Sequence, residues 1–235
     1  MMITPVARAA GAAVLLVAGL LGVPATPASA APCPDVEVVY ARGTSEPVGI
    51  GQVGQAFVDA LRAQVPTKSV AVYAVNYQAS NQFDNRMQFA GSVVEGIRDA
   101  GAHVQATAVN CPNTRIVLGG FSQGAVVAGF VTSAAVPDGV PPDLVPAPLA
   151  PEVADHVAAV VLFGLPSAAW MQYFGAPPVV IGPLYADKTI QLCSEGDTIC
   201  DGTPGGMPSI AHIMYGMNGM VGQAATFAAN RLQAP

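Results

Sequence analysis

The chain has 235 residues, a formal net charge of −6, 52% hydrophobic residues and only 10% charged ones. It carries two lysines, Lys68 and Lys188, and no basic run. Phosphate neutralisation needs clustered cations, so no nucleic-acid partner is expected. So low a charge content leaves a surface that is apolar or hydroxylated and suited to greasy substrates, although alanine supplies much of the hydrophobic count.

Residues 1–30 have the form of a secretory leader. Arg8 gives a lone positive charge, Gly11 to Val23 forms an apolar core, and Pro24 breaks it. Ala28-Ser29-Ala30 then offers small residues at the −3 and −1 positions of a cleavage site. The apolar run is shorter than the ~20 residues of a comfortable membrane span, so no stable span is expected. Cleavage near Ala30 leaves residues 31–235 as one domain, more acidic by one unit once Arg8 is gone.

Within that domain, strand-like and helix-like segments alternate. Val36 to Ala41 reads as a strand, and Gln52 to Val65 places Val53, Phe57, Leu61 and Val65 at helical steps. A second strand is predicted over Val70 to Tyr77. A long amphipathic helix follows over Asn85 to Val109, with Val93, Ile97, Val104 and Ala108 on one side. Arg115 to Gly119 is a third strand, Ser122 to Ala135 a helix and Val157 to Phe163 a fourth strand. Thr189 to Leu192 makes a short fifth, and Asn218 to Leu232 a closing helix. This order predicts an α/β fold, a five-stranded parallel sheet with helices on both faces.

Pro137 to Pro151 interrupts the rhythm with six prolines and must be an extended loop. It joins a helix to the next strand, which places it where strands begin, whereas ligands bind where strands finish. A rigid structural loop or partner contact is therefore expected there, not a substrate lid.

Four cysteines in an exported chain point to two disulfides. Zinc is not expected. Cys33 and Cys111 are isolated, and Cys193 and Cys200 have no histidine at finger-like distance. Cys33 and Cys111 each precede a strand, whereas Cys193 and Cys200 follow one. A five-residue strand separates the two sheet edges by roughly 17 Å, and bridged Cα atoms lie within about 7 Å. The expected pairs are Cys33–Cys111 and Cys193–Cys200.

The chemistry centres on "LGGFSQGA", Leu118 to Ala125. A strand, then Gly120-Phe121-Ser122-Gln123-Gly124, then a helix is the sequence form of a nucleophile elbow. Its serine occupies a strained turn, and glycines leave room where Cβ atoms would collide. A serine hydroxyl needs a base. Of the three histidines, His103 lies within a helix and His156 precedes a strand at the wrong edge. His212 follows the last strand, and it is the expected base. The base needs an acid, and the order Ser, acid, His suits α/β-hydrolases. Asp187, Glu195, Asp197 and Asp201 are candidates. Asp197 is preferred because its own disulfide closes the Cys193–Cys200 loop around it. Two donors must face the developing oxyanion. The Gln123 N–H follows the nucleophile, and Thr44, in the turn after the first strand, offers the second.

Taken together, these stretches resemble the cutinases, especially secreted bacterial cutinase-like proteins, over nearly all of the mature length. The matching stretches are "YARGTSE", "VYAVNY", "CPNTRIVLGGFSQGA", "CSEGDTIC" and His212 before the last helix. The resemblance implies a small α/β-hydrolase without a full lid and an open serine-esterase site. It implies the same disulfide pairs and an oxyanion hole made by Thr44 and Gln123. The proline-rich segment and the methionines around His212 (Met207, Met214, Met217, Met220) depart from the family pattern.

The expected protein is a secreted, monomeric, cofactor-free and metal-free esterase. It acts on a lipid or polyester substrate, with short- to medium-chain acyl esters foremost. Ser122, His212 and Asp197 form its triad. Tyr77, Gln78, Leu165, Val179, Val180 and Ile210 are weaker candidates for an acyl groove. An acyltransferase using the same triad, or a non-catalytic secreted binding protein, is the alternative.

Overall fold

The computed structural model describes Met2 and residues 32–233. The expected leader therefore falls almost wholly outside the described residues. From Cys33 onward the chain forms one unit. Five strands, β1 (Val36–Ala41), β2 (Val70–Ala74), β3 (Arg115–Phe121), β4 (Val157–Phe163) and β5 (Thr189–Leu192), run parallel in the order β2-β1-β3-β4-β5.

The central strands are buried on both faces, which is why they read as near-continuous apolar runs. Val36, Val38 and Tyr40 of β1, with Val117 of β3 and Val161 and Phe163 of β4, meet α1 (Gly51–Gln64) and α7 (Met220–Gln233). Val39, Ile116, Leu118, Val160 and Leu162 point the other way, toward α2 (Arg86–Asn110) and α3 (Gln123–Val131). The two-residue period of each strand thus sorts one sequence into two cores.

Element ends differ from the expected ones for local reasons. Strand β2 stops at Ala74 rather than Tyr77, because the Tyr77 and Gln78 carbonyls accept hydrogen bonds from Arg42 instead of a strand neighbour. Helix α3 ends at Val131, where the Thr132 hydroxyl donates back to the Gly129 carbonyl. Four short pieces are additional: a 3-10 turn over Pro151–His156, α4 (Ala168–Tyr173), α5 (Pro183–Ala186) and α6 (Ile210–Ile213). Each is a single turn or little more, too short for a hydrophobic period to register.

Cys33 is joined to Cys111 with Cα atoms 5.5 Å apart, and Cys193 to Cys200 at 5.7 Å. The proline-rich segment is not confined to the edge where strands begin. The Leu149 side chain reaches within 3.8 Å of where a Cβ on Gly101 of α2 would stand. Helix α2, 25 residues long, gives the segment a flank to dock against. There Val136, Pro137, Val140 and Val145 to Ala150 line the same cavity as Ser122 and His212. The expectation of a loop away from the substrate side is corrected accordingly.

Candidate active site

Strand β3 and helix α3 meet at Ser122, whose φ of 53° and ψ of −116° lie in a region L-residues rarely occupy. The flanking glycines make this turn possible. A Cβ on Gly120 would stand 2.1 Å from the Gly124 carbonyl oxygen, and one on Gly124 would stand 2.0 Å from that of Ala41. Backbone would collide with backbone, which no rotamer change relieves. The Ser122 N–H donates to the Phe163 carbonyl of β4 at 2.9 Å, tying the turn to the sheet.

His212 lies on α6 rather than on an irregular loop. The Ser209 hydroxyl accepts from the His212 backbone N–H and caps that single turn. Its Nε2 is 2.9 Å from Ser122 Oγ, and its Nδ1 is 2.8 Å from Asp197 Oδ2 and 2.9 Å from Oδ1. Asp197 is fully buried and His212 is 5% exposed. Burial alone would raise the Asp197 carboxyl, but hydrogen bonds from His212, Tyr215 and the Ile199 N–H outweigh it, and the net shift is downward. The carboxylate is held charged beside the imidazole.

The three other acids do not reach His212. Asp187, Glu195 and Asp201 are exposed, and the Asp201 carboxylate accepts instead from the Thr203 N–H. Within the Cys193–Cys200 loop, Asp197 is fixed by its own backbone. Its N–H donates to the Ser194 carbonyl, while its carbonyl accepts from the N–H groups of Cys200 and Asp201.

Sequence reasoning passed over two residues. The Tyr215 hydroxyl donates to Asp197 Oδ2 at 2.7 Å and accepts from the Ser194 N–H at 3.0 Å. Burial, followed by the Asp197 carboxylate, raises the Tyr215 phenol well above its ordinary range, so it remains a donor. Tyr215 lies beyond the end of α6, so no helical spacing from His212 marks it in the sequence. Gly164, just past β4, has φ of 55°, and a Cβ there would press on His212 Cε1 at 3.1 Å and Asp197 Oδ2 at 3.2 Å. Nothing in sequence distinguishes it from the other glycines.

Gln123 is the first residue of α3, so its backbone N–H has no acceptor within the helix. Its side chain turns away and donates to the Ser80 carbonyl at 3.2 Å. Thr44 is half-buried and lines the cavity beside Ser122. Its turn is strongly held. Glu46 accepts from the Gly43 and Gln52 N–H groups, both at 2.7 Å. Arg42, buried without a carboxylate partner among the described residues, donates to the carbonyls of Glu46, Tyr77 and Gln78. The Tyr77 hydroxyl donates to the Arg42 carbonyl in return.

Ser122 and His212 open onto a largely apolar cavity of about 1310 Å³. None of the six residues expected at an acyl groove lines it. Tyr77 is buried under Arg42, Val179 packs on Gly129 of α3, and Ile210 is exposed. Leu165, Gln78 and Val180 also lie off its wall. His103 pairs with Glu37 at 3.1 Å and stacks on Tyr73, a structural role remote from Ser122.

Residues 32–232 match the family model described as Cutinase. The chain is 60% identical to Probable carboxylesterase Culp7 of Mycobacterium tuberculosis over 170 residues, 72% of this chain and 89% of that one. It is 48% identical to Carboxylesterase Culp1 of Mycobacterium bovis over 229 residues, covering 96% and 95%. Among solved structures it is similar to the Trichoderma reesei cutinase in complex with a phosphonate inhibitor, at a TM-score of 0.64 and 31% identity. That likeness covers 86% of this chain and 78% of the other. The chain belongs to the cutinase family.

Proposed function

We propose that the chain is a secreted serine esterase that hydrolyses carboxylic esters of lipids or polyesters through an acyl-enzyme on Ser122. The observation that carries this reading is the continuous hydrogen-bonded line from Ser122 Oγ through His212 to buried Asp197, opening on an apolar cavity. The carboxylesterase names of its relatives support it.

In the first step Ser122 Oγ attacks the ester carbonyl carbon while His212 Nε2 takes the hydroxyl proton. Asp197 keeps the imidazole in the tautomer with its proton on Nδ1 and stabilises the imidazolium. The carbonyl oxygen, now an anion, receives hydrogen bonds from the Gln123 and Thr44 N–H groups. As the tetrahedral intermediate collapses, the alcohol leaves with the proton from Nε2. Water then gives its proton to His212, attacks the acyl carbonyl, and releases the acid and free Ser122. No step requires a metal or cofactor.

Two disulfides suit an oxidising compartment, and with the leader-like residues 1–30 they support export. No helix among the described residues is long and apolar enough to cross a membrane. The mature protein acts as a monomer.

The test is Ser122→Ala with p-nitrophenyl butyrate. The variant should fold and lose at least about 10³-fold in kcat, since the serine acts in chemistry and not in packing. An alkyl phosphonate should label Ser122 in the unaltered protein. Label on another serine, or a fully active variant, overturns the mechanism.

A further inference from the structure

The cavity is larger than a short acyl group needs. At about 1310 Å³ it exceeds the roughly 300–1,000 Å³ usual for small-molecule sites. One wall is a single face of α2. Lining positions recur every three or four residues from Arg86 through Ala90, Val94, Ile97 and Gly101 to Gln105. At 1.5 Å per residue that face is roughly 28 Å long. This approaches the ~30 Å hydrocarbon thickness of a bilayer, which two acyl chains fill end to end. One long chain therefore fits with room to spare.

The opposite wall is the proline-rich segment, and its composition suits that position. An extended backbone beside an apolar ligand would normally leave N–H groups without partners, at a cost in free energy. Proline has no N–H and fixes φ. Along Val145-Pro146-Ala147-Pro148-Leu149 two of five residues are proline and the other three each flank one, so the wall is stiff and poor in donors. Phe130 and Val131 of α3 add further apolar lining. The walls converge where Leu149 meets Gly101.

We propose that this arm of the cavity binds one long hydrocarbon chain of the ester, extended from Ser122 along α2. The site then favours chains longer than the short- and medium-length acyl groups expected from the sequence. The proposal rests on the esterase reading, because continuity with Ser122 and His212 identifies the occupant as part of the substrate. Each methylene brought out of water is worth about fourfold in kcat/KM where it is bound in the transition state.

The experiment is a series of p-nitrophenyl esters from butyrate to dodecanoate, kept below their micellar concentrations. It uses the unaltered protein, Val94→Trp from the α2 wall and Val140→Trp from the proline wall. Circular dichroism checks that each variant is folded. The unaltered protein should gain about tenfold or more in kcat/KM from butyrate to dodecanoate. The tryptophan variants should lose that gain, so that their dodecanoate-to-butyrate ratio of kcat/KM falls to about one. Dodecyl acetate run beside p-nitrophenyl dodecanoate tells the two halves of the ester apart. The substrate that either folded variant selectively loses carries the bound chain.

Kcat/KM that is flat or falling beyond hexanoate in the unaltered protein, together with dodecyl acetate hydrolysed no better than butyl acetate, overturns the proposal. So do folded variants with an unchanged preference for both long substrates. Either result is also what a protein partner, or another segment of the chain, occupying the arm would produce. Failure of the unaltered protein to hydrolyse butyrate at all overturns the esterase reading instead.

Discussion

Tyr215 is the side chain whose removal best isolates one contact within the site. Its hydroxyl joins Asp197 to the Ser194 backbone, and it is one of three hydrogen bonds that lower the Asp197 carboxyl against the opposing effect of burial. A carboxyl lowered on folding stabilises the protein fully above the ordinary aspartate range, and that contribution is lost as pH falls through the folded value. Tyr215→Phe removes a bond to a charged group and should cost about 1.5–3 kcal/mol at neutral pH. It should also let the Asp197 carboxyl rise toward its ordinary range, so the acid loss of stability is smaller and is complete at higher pH than in the unaltered protein. Thermal midpoints measured from pH 7 downward should show a gap that is widest near neutrality and narrows in acid, where both proteins hold Asp197 protonated. A gap of constant size would mean that Tyr215 contributes packing alone. Ser122, Asp197 and His212 were legible in the sequence because chain order and sheet edge leave few candidates. Tyr215 and Gly164 were not, since a buried phenol and one more glycine carry no distinctive pattern until the fold brings them to Asp197.

At the level of elements, the two disulfides should separate stability from turnover. The Cys33–Cys111 bridge spans 78 residues, and chain entropy alone assigns it about 4.5 kcal/mol. The Cys193–Cys200 bridge spans seven, and the same relation gives about 2.5 kcal/mol. Replacing both cysteines of the first pair by serine should therefore lower the unfolding midpoint more. Replacing the second pair should lower kcat on p-nitrophenyl butyrate more, because it loosens the loop that carries Asp197. Both are measured at a temperature where circular dichroism shows a folded protein. Equal kcat in the two double variants would reduce the shorter bridge to a staple. The strands and long helices were readable because their apolar periods run for several residues. The proline-rich segment was placed wrongly because sequence locates a loop's two ends but not the surface it crosses. What decides its path is the docking of Leu149 on Gly101 of α2, a tertiary contact between residues 48 positions apart.

For the molecule as a whole, the proposed export predicts where the mature chain begins. Amino-terminal sequencing of the protein recovered from the medium should start at Ala31, and a start at Met1 would remove the leader reading. The fold also divides its working parts unequally. Ser122, Gln123 and Thr44 are mounted on the sheet by β1, β3 and α3, whereas Asp197, His212 and Tyr215 all belong to one stretch of 19 residues after β5. A single side-chain hydrogen bond joins Ser122 to that stretch, across 90 positions. Proteins open in cooperative patches well below their global unfolding free energy. Opening of that C-terminal stretch alone would disarm the serine and leave the sheet standing. Hydrogen exchange at residues 197–215 would then follow the loss of activity on heating, and the circular dichroism midpoint would lie above both.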